Sequence, residues 1–179
     1  TRSSHSYYRY TSNDTTPMKT FLSSLSVAST FFTVATATEY KNVYGQPLQS
    51  CSSHGMALTG FTRTGNCVDR QDDIGSHHIC INMTSTTGGN FCTVTGQPDW
   101  CSSYMPCHED SNSACPVQDW CVCQWAFASY IQKAGGCGAI QDIVCEAINM
   151  QAMIAYEQQS ADRRYKEAFD CIRTKCGIQ

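Results

Sequence analysis

The chain has 179 residues, 13 of them Cys, with a net charge of -3 and 41% hydrophobic residues. That length favours one domain, and the apolar content excludes a disordered chain. Mild acidity with scattered Lys and Arg excludes a nucleic-acid surface, and no run is long and apolar enough for a stable membrane span.

Residues 1–17, "TRSSHSYYRYTSNDTTP", are polar and aromatic and contain no Met, so they read as an upstream or unstructured extension. From Met18 the pattern changes. Lys19 supplies a positive start, Phe21 to Val34 is mostly apolar, and Ala35-Thr36-Ala37 is a small-x-small cleavage site. Residues 18–37 are therefore expected to be a signal peptide, cut after Ala37; the alternative is an N-terminal anchor or an organelle transit segment. The remaining 142 residues keep all 13 Cys, near nine per cent, with 9 basic and 14 acidic side chains for a net of -5. Such a density in an exported chain signals a disulfide scaffold, and it places the protein outside the cell or in the secretory lumen. An odd count leaves one thiol free, reactive or bonded to another chain. No membrane span is expected after cleavage.

Along the rest of the chain, "GFTRTGNC" (Gly60 to Cys67) and "SHHICINMT" (Ser76 to Thr84) are short runs bounded by Gly and Asn, and both read as strands. In the second, Ile79 and Ile81 share one face while Cys80 and Asn82 share the other. Asn82-Met83-Thr84 is an N-glycosylation sequon. The segment from Thr84 to Asp119 reads as one long polar loop, held by Cys92, Cys101, Cys107 and Cys115, all expected to be oxidised. "DWCVC" (Asp119 to Cys123) reads as a buried strand leading into a helix from Gln124 to Lys133, closed by Gly135 and Gly136. Ile143-Val144-Cys145 suggests a further strand, and Asn149 is a good N-cap for a helix to about Gln158. Residues 159–179 form a last helix capped by Ser160 and ended by Gly177. Tyr165, Phe169, Ile172 and Cys176 make its core-facing stripe, and Cys171 and Cys176 tie its end down. Arg163, Arg164 and Lys166, the one basic cluster, read as a solvated helix face.

Five blocks carry a resemblance: "NVYGQPLQSCS" (Asn42 to Ser52), "LTGFTRTGNC" (Leu58 to Cys67), "DDIGSHHICINMT" (Asp72 to Thr84), "DWCVC" and "IVCEAINMQAM" (Ile143 to Met153). In order and spacing they resemble the family called domain of unknown function 2237, over Asn42 to about Tyr156. The resemblance implies a compact α+β domain over residues 38–158, and it brings no established activity. Two departures matter. Asn66-Cys67 stands where the family usually has a Cys doublet, and Asn149 stands where it usually has His, so chemistry needing that His does not carry over. The Cys92 to Cys115 loop also differs from the family's usual Pro-rich segment.

The family-matched cysteines are Cys51, Cys67, Cys80, Cys121 and Cys123. Joined by His77 or His78 they could form a zinc or copper site, since thiolate and imidazole are ligands of both. Their spacings are irregular, however, and no Cys-x₂-Cys knuckle is present. A thiol enzyme could draw a nucleophile, base and orienter from Asp72, Asp73, His77, His78 and Cys80, with His78 and Cys80 on one strand face. The blander reading makes all of Cys51, Cys67, Cys80, Cys92, Cys101, Cys107, Cys115, Cys121, Cys123, Cys137, Cys145, Cys171 and Cys176 disulfide candidates. A direct Cys121–Cys123 bridge would be strained, so each is expected to bond a different partner among Cys51, Cys67 and Cys80. Trp120 and Trp125 flank a core strand, which leaves Trp100 as the aromatic available for contact with a sugar or peptide. The chain is thus expected to be a small, secreted, disulfide-stabilised α+β domain with no cofactor, a non-catalytic structural or binding module for an unknown ligand. The alternative is a secreted thiol- or metal-dependent enzyme using the Cys/His cluster.

Overall fold

In the computed structural model of the protein, residues 40–179 are described. The expected extension at 1–17 and the expected signal peptide at 18–37 lie outside them. The described chain is a small mixed α+β domain with short antiparallel strands, four α-helices and six disulfides. In chain order these are β1 (Ile79–Asn82), α1 (Phe91–Thr95), β2 (Tyr104–Pro106), β3 (Ala114–Pro116), β4 (Asp119–Val122), α2 (Gln124–Ala134), α3 (Met150–Gln158) and α4 (Arg163–Cys176).

The central ladder pairs β1 with β4, antiparallel. Successive side chains on a strand point to opposite faces, so the register Ile79↔Val122 and Ile81↔Trp120 gives one face four apolar groups. All four are buried and join the main core with Phe91, Phe127, Tyr130, Ile131 and Ile172. Removing each such side chain from water contributes about 1.5–3 kcal/mol. The other face carries the opposed pair Cys80 and Cys121, which with Cys51, Cys67 and Ala147 forms a second, small buried cluster.

Around this ladder the helices follow their terminal signals. Gly135, in the left-handed conformation at φ 94°, ends α2, and the N–H of Gly136 bonds Ile131 O at 2.9 Å. Asn149 caps α3 by accepting from Gln151 N. The cap of α4 is Asp162, which accepts from Arg164 N at 2.9 Å, and not the expected Ser160. A carboxylate next to unpaired N–H groups is a strong cap, and it also pairs with the Arg164 guanidinium at 2.6 Å. Helix α4 packs across both α2 and α3. Its face toward them carries buried Ala168, Cys171, Ile172 and Cys176, while Tyr165 and Phe169 are only half-buried.

Three expectations from the sequence give way. Gly60 to Cys67 is not a strand but a tight turn, because Gly60, Arg63 and Gly65 all take positive φ, which no strand accommodates. Hydrogen bonds Arg63 N to Gly60 O and Gly65 N to Thr59 O, each 3.0 Å, close it. Ile143 makes a single bridge to Ile81, after which the chain turns as a short 3-10 helix at Cys145–Ala147. The segment from Thr84 to Asp119 contains α1 and the β2–β3 hairpin. Each is clasped by a disulfide, Cys92–Cys101 and Cys107–Cys115, which supplies order that polar residues alone would not.

The other four disulfides bridge distant parts of the chain: Cys51–Cys80, Cys67–Cys121, Cys137–Cys171 and Cys145–Cys176. The first pair pins the N-terminal segment to the central ladder, and the second pair fastens α4. Cys123 is free, contrary to the expectation that it would share a distant partner set with Cys121. At the junction where β4 becomes α2, it is the N-cap residue, with no side-chain capping bond.

Candidate functional site

The Cys/His cluster of the alternative reading, a metal or thiol enzyme, is dismantled by the disulfides. Cys80 and Cys121 are both oxidised. The sulfurs of Cys51, Cys67 and Cys80 lie within 4.8 Å of one another because the Cys51–Cys80 and Cys67–Cys121 disulfides start from the directly paired Cys80 and Cys121. Sulfur bound to sulfur is not the thiolate a metal requires, so the proximity is not a ligand set. The same holds for Cys107 and Cys115 beside Glu109. His78 does not meet Cys80. Its buried ring bonds Gln124 Oε1 through Nδ1 at 2.8 Å and approaches Asp69 Oδ1 through Nε2 at 3.2 Å.

His77 and Cys123 are left. The strand-leading loop from Asp73 to His77 is organised by the Asp73 carboxylate, whose side chain is 1% exposed. Its oxygens accept the backbone N–H groups of Gly75 at 3.1 Å and His77 at 2.8 Å, and the His77 ring at Nδ1 at 2.7 Å. A carboxylate can only accept, so Nδ1 carries the hydrogen and Nε2 is left as the acceptor in the neutral ring. One flank of the imidazole stacks with Phe61, at 6.3 Å between centroids.

Both His77 and Cys123 line a cleft of about 280 Å³. Its walls are Trp100, Trp120, Phe91 and Met105, with Arg63 and Gln97 as polar members. Trp100, expected to be the exposed aromatic, is half-buried and packs at 5.8 Å on Trp120 and 6.0 Å on Phe91. Its indole N–H donates to Gln97 at 3.1 Å. Such a concave, mostly aromatic surface with a few converging polar groups is what a ligand site requires. A second depression of about 300 Å³ shares Arg63, His77, Trp120 and Cys121 and adds Phe61.

Arg63 is the residue sequence reasoning missed. It stands at φ 52° in the turn that had been expected to be a strand, and its guanidinium lies 5.0 Å from the Trp120 ring centroid. Among the described residues no carboxylate lies within 4.0 Å of it. The Gly-x-x-Arg-x-Gly spacing from Gly60 to Gly65 was the available signal for a turn presenting that side chain. The cleft therefore offers aromatic faces and an unpaired positive charge.

Two neighbouring groups have perturbed acidity. Burial pushes the half-buried Asp119 carboxyl up to about 6. Burial also holds the Tyr156 phenol well above its usual value, with the nearby Cys123 and Tyr165 adding to the effect. The Tyr156 hydroxyl donates to the Gln124 carbonyl at the start of α2. A larger, shallower groove of about 640 Å³ runs between the end of α2 and α4. Its charges are already satisfied, Arg163 by Glu167 and Asp170 by Lys166, each at 2.6 Å, so it lacks the unpaired chemistry of the aromatic cleft. Asn82, the sequon residue, ends β1 partly exposed, and its Oδ1 accepts from Thr84 N at 2.9 Å and Oγ1 at 2.7 Å.

A family model described as an uncharacterized protein conserved in bacteria, domain of unknown function 2237, matches residues 41–162. No curated protein matches the chain.

Proposed function

The chain belongs to the domain of unknown function 2237 family, and from that footing we propose that it is a secreted, non-catalytic binding module whose ligand enters the aromatic cleft. The single observation that carries this reading is the Arg63 guanidinium, unpaired among the described residues and stacked over Trp120 at the wall of the cleft. Ligands that fit are small aromatic or apolar groups bearing a negative charge: the ring lies against Trp100 and Trp120 and the anion meets Arg63. The reading calls for no metal or other cofactor. Six disulfides fit an oxidising environment, and they hold the cleft walls rigid before any ligand arrives, which lowers the ordering cost of binding.

Naphthoate, an aromatic carboxylate, is a suitable probe, with binding followed by quenching of tryptophan emission. A saturable response is expected. Arg63→Ala should weaken it about tenfold, the scale of one charge-assisted hydrogen bond. Trp100→Ala should remove most of it. Binding unchanged in both variants overturns the assignment of the cleft.

A further inference from the structure

Twelve cysteines are consumed in disulfides, and Cys123 is the free one among the described residues. Its sulfur makes no capping hydrogen bond to α2. The thiol does not stand alone: Cys123 and His77 line the same cleft, and buried Asp73 fixes the His77 ring with Nε2 as the acceptor. A nucleophile and a proton acceptor held by a buried carboxylate thus line one cavity, whose walls are aromatic and whose cation, Arg63, is unpaired among the described residues. The two neighbouring disulfide sulfurs are screened, since Cys67 is 0% and Cys121 2% exposed, whereas Cys123 is partly exposed. An incoming reagent therefore meets Cys123 first.

We propose that Cys123 captures disulfide-bearing ligands by thiol–disulfide exchange, tethering an aromatic, anionic half of the ligand in the cleft. The inference deepens the binding-module reading and rests on the cleft being the ligand site. The Cys123 proton passes to His77, and the resulting thiolate attacks one sulfur of the ligand disulfide. A bond forms between Cys123 Sγ and that sulfur while the ligand's own S–S bond breaks. The ligand's other sulfur leaves as the thiolate, and the proton on His77 is released to solvent. One disulfide is exchanged for another, so no external oxidant or reductant is needed. The product is a stoichiometric mixed disulfide, with the protein released only when a further thiol reverses the exchange.

The probe is dithiobis(nitrobenzoic acid), an aromatic disulfide bearing carboxylates, mixed with the native full chain. One equivalent of coloured thiolate per chain is expected, with the adduct mapped to Cys123 by peptide mass. Cys123→Ser should release none. His77→Asn should slow the exchange about a hundredfold, the usual scale for a positioned base, and added imidazole should restore part of the rate. Oxidised glutathione, which lacks an aromatic ring, should react about tenfold more slowly. Release only after denaturation, an adduct on another cysteine, or an unchanged rate in His77→Asn overturns the proposal. The two readings fail differently. Naphthoate binding intact with Cys123 unlabelled removes the thiol inference alone; labelling equally fast in Trp100→Ala and Arg63→Ala removes the cleft reading as well.

Discussion

Cys80 and Cys121 are direct partners on the β1–β4 ladder, yet each is bonded elsewhere, to Cys51 and Cys67 respectively. Two crosslinks therefore leave one point of the sheet and grip the N-terminal segment at two places. Closure of a longer loop removes more entropy from the unfolded chain. Replacing the Cys67–Cys121 pair, with its separation of 54 residues, by Ala should cost about 4 kcal/mol by that entropy argument. Replacing Cys107–Cys115, with a separation of 8, should cost about 2.5 kcal/mol. Denaturant titration of the two double variants gives the ranking, and an inverted order refutes loop closure as the dominant contribution.

Gly60 is the residue on which the Arg63 turn depends. It stands at φ +88°, and a Cβ there would lie 2.4 Å from the Asn66 carbonyl oxygen. Gly45 has a similar φ of +75° with nothing within 4 Å. Gly45→Ala should cost about 1 kcal/mol from backbone conformation alone, and Gly60→Ala clearly more, because backbone must move. Equal losses in thermal unfolding would show that the turn yields freely. Gly60→Ala should also weaken naphthoate binding, since it displaces Arg63.

Asp119 gives the fold a pH dependence of defined sign. Its carboxyl is raised by burial to about 6, above its usual 3.8, so the folded state holds the proton more tightly than the unfolded one. The stabilisation from protonation is fully present below about pH 3.8 and is lost as pH rises through about 6. Because the group is partly solvated, the discounted effect at neutral pH is on the order of 1 kcal/mol. Asp119→Asn should raise the melting temperature at pH 7 and flatten the profile between those values. A variant that is no more stable than the parent at neutral pH contradicts this.

At Asn149 a small buried side chain does two jobs. Its Oδ1 caps α3 through Gln151 N at 3.0 Å, and its Nδ2 donates to the Cys67 carbonyl at 2.9 Å. Asn149→Ala should therefore cost about 2–3 kcal/mol, the sum of a lost cap and a buried acceptor left unsatisfied. Asn149→Ser keeps a capping oxygen but not the donor to Cys67 and should fall between. If Ser is as damaging as Ala, the cap contributes nothing.

Export is tested at the protein's own N-terminus. Secreted material from a eukaryotic host should begin at Thr38, after the Ala35-x-Ala37 site, and should lose mass on glycosidase treatment if Asn82 carries a glycan. Exported chain that still begins at Met18 points to an anchor instead.

The elements legible in the sequence were those whose signals are local. Alternating Ile79 and Ile81, the Gln124-to-Ala134 helix and the Asn149 cap all needed only near neighbours. Helix α1 was missed because five residues give too short a period, and its stability comes from the Cys92–Cys101 bond. Gly60 to Cys67 imitates a strand through the strand-favouring Phe61, Thr62 and Thr64, while three positive φ values decide otherwise. The site was half legible. His77, Asp73 and Cys123 could be nominated by residue type, but which cysteine stays free depends on partners 29 to 54 residues away. Arg63 over Trp120 is a tertiary contact that no spacing announces.

The family match stops at residue 162, and α4 begins at Arg163. The whole last helix is thus an outboard part, riveted at both Cys171 and Cys176 to cysteines that lie inside the matched region. A protease that cut the turn between α3 and α4 would not release it. The nicked protein would gain the mass of one water and keep its helix until a reductant was added. Permanently attached, the helix cannot dissociate at any dilution, so its modest apolar face need only find its seat and never has to hold it.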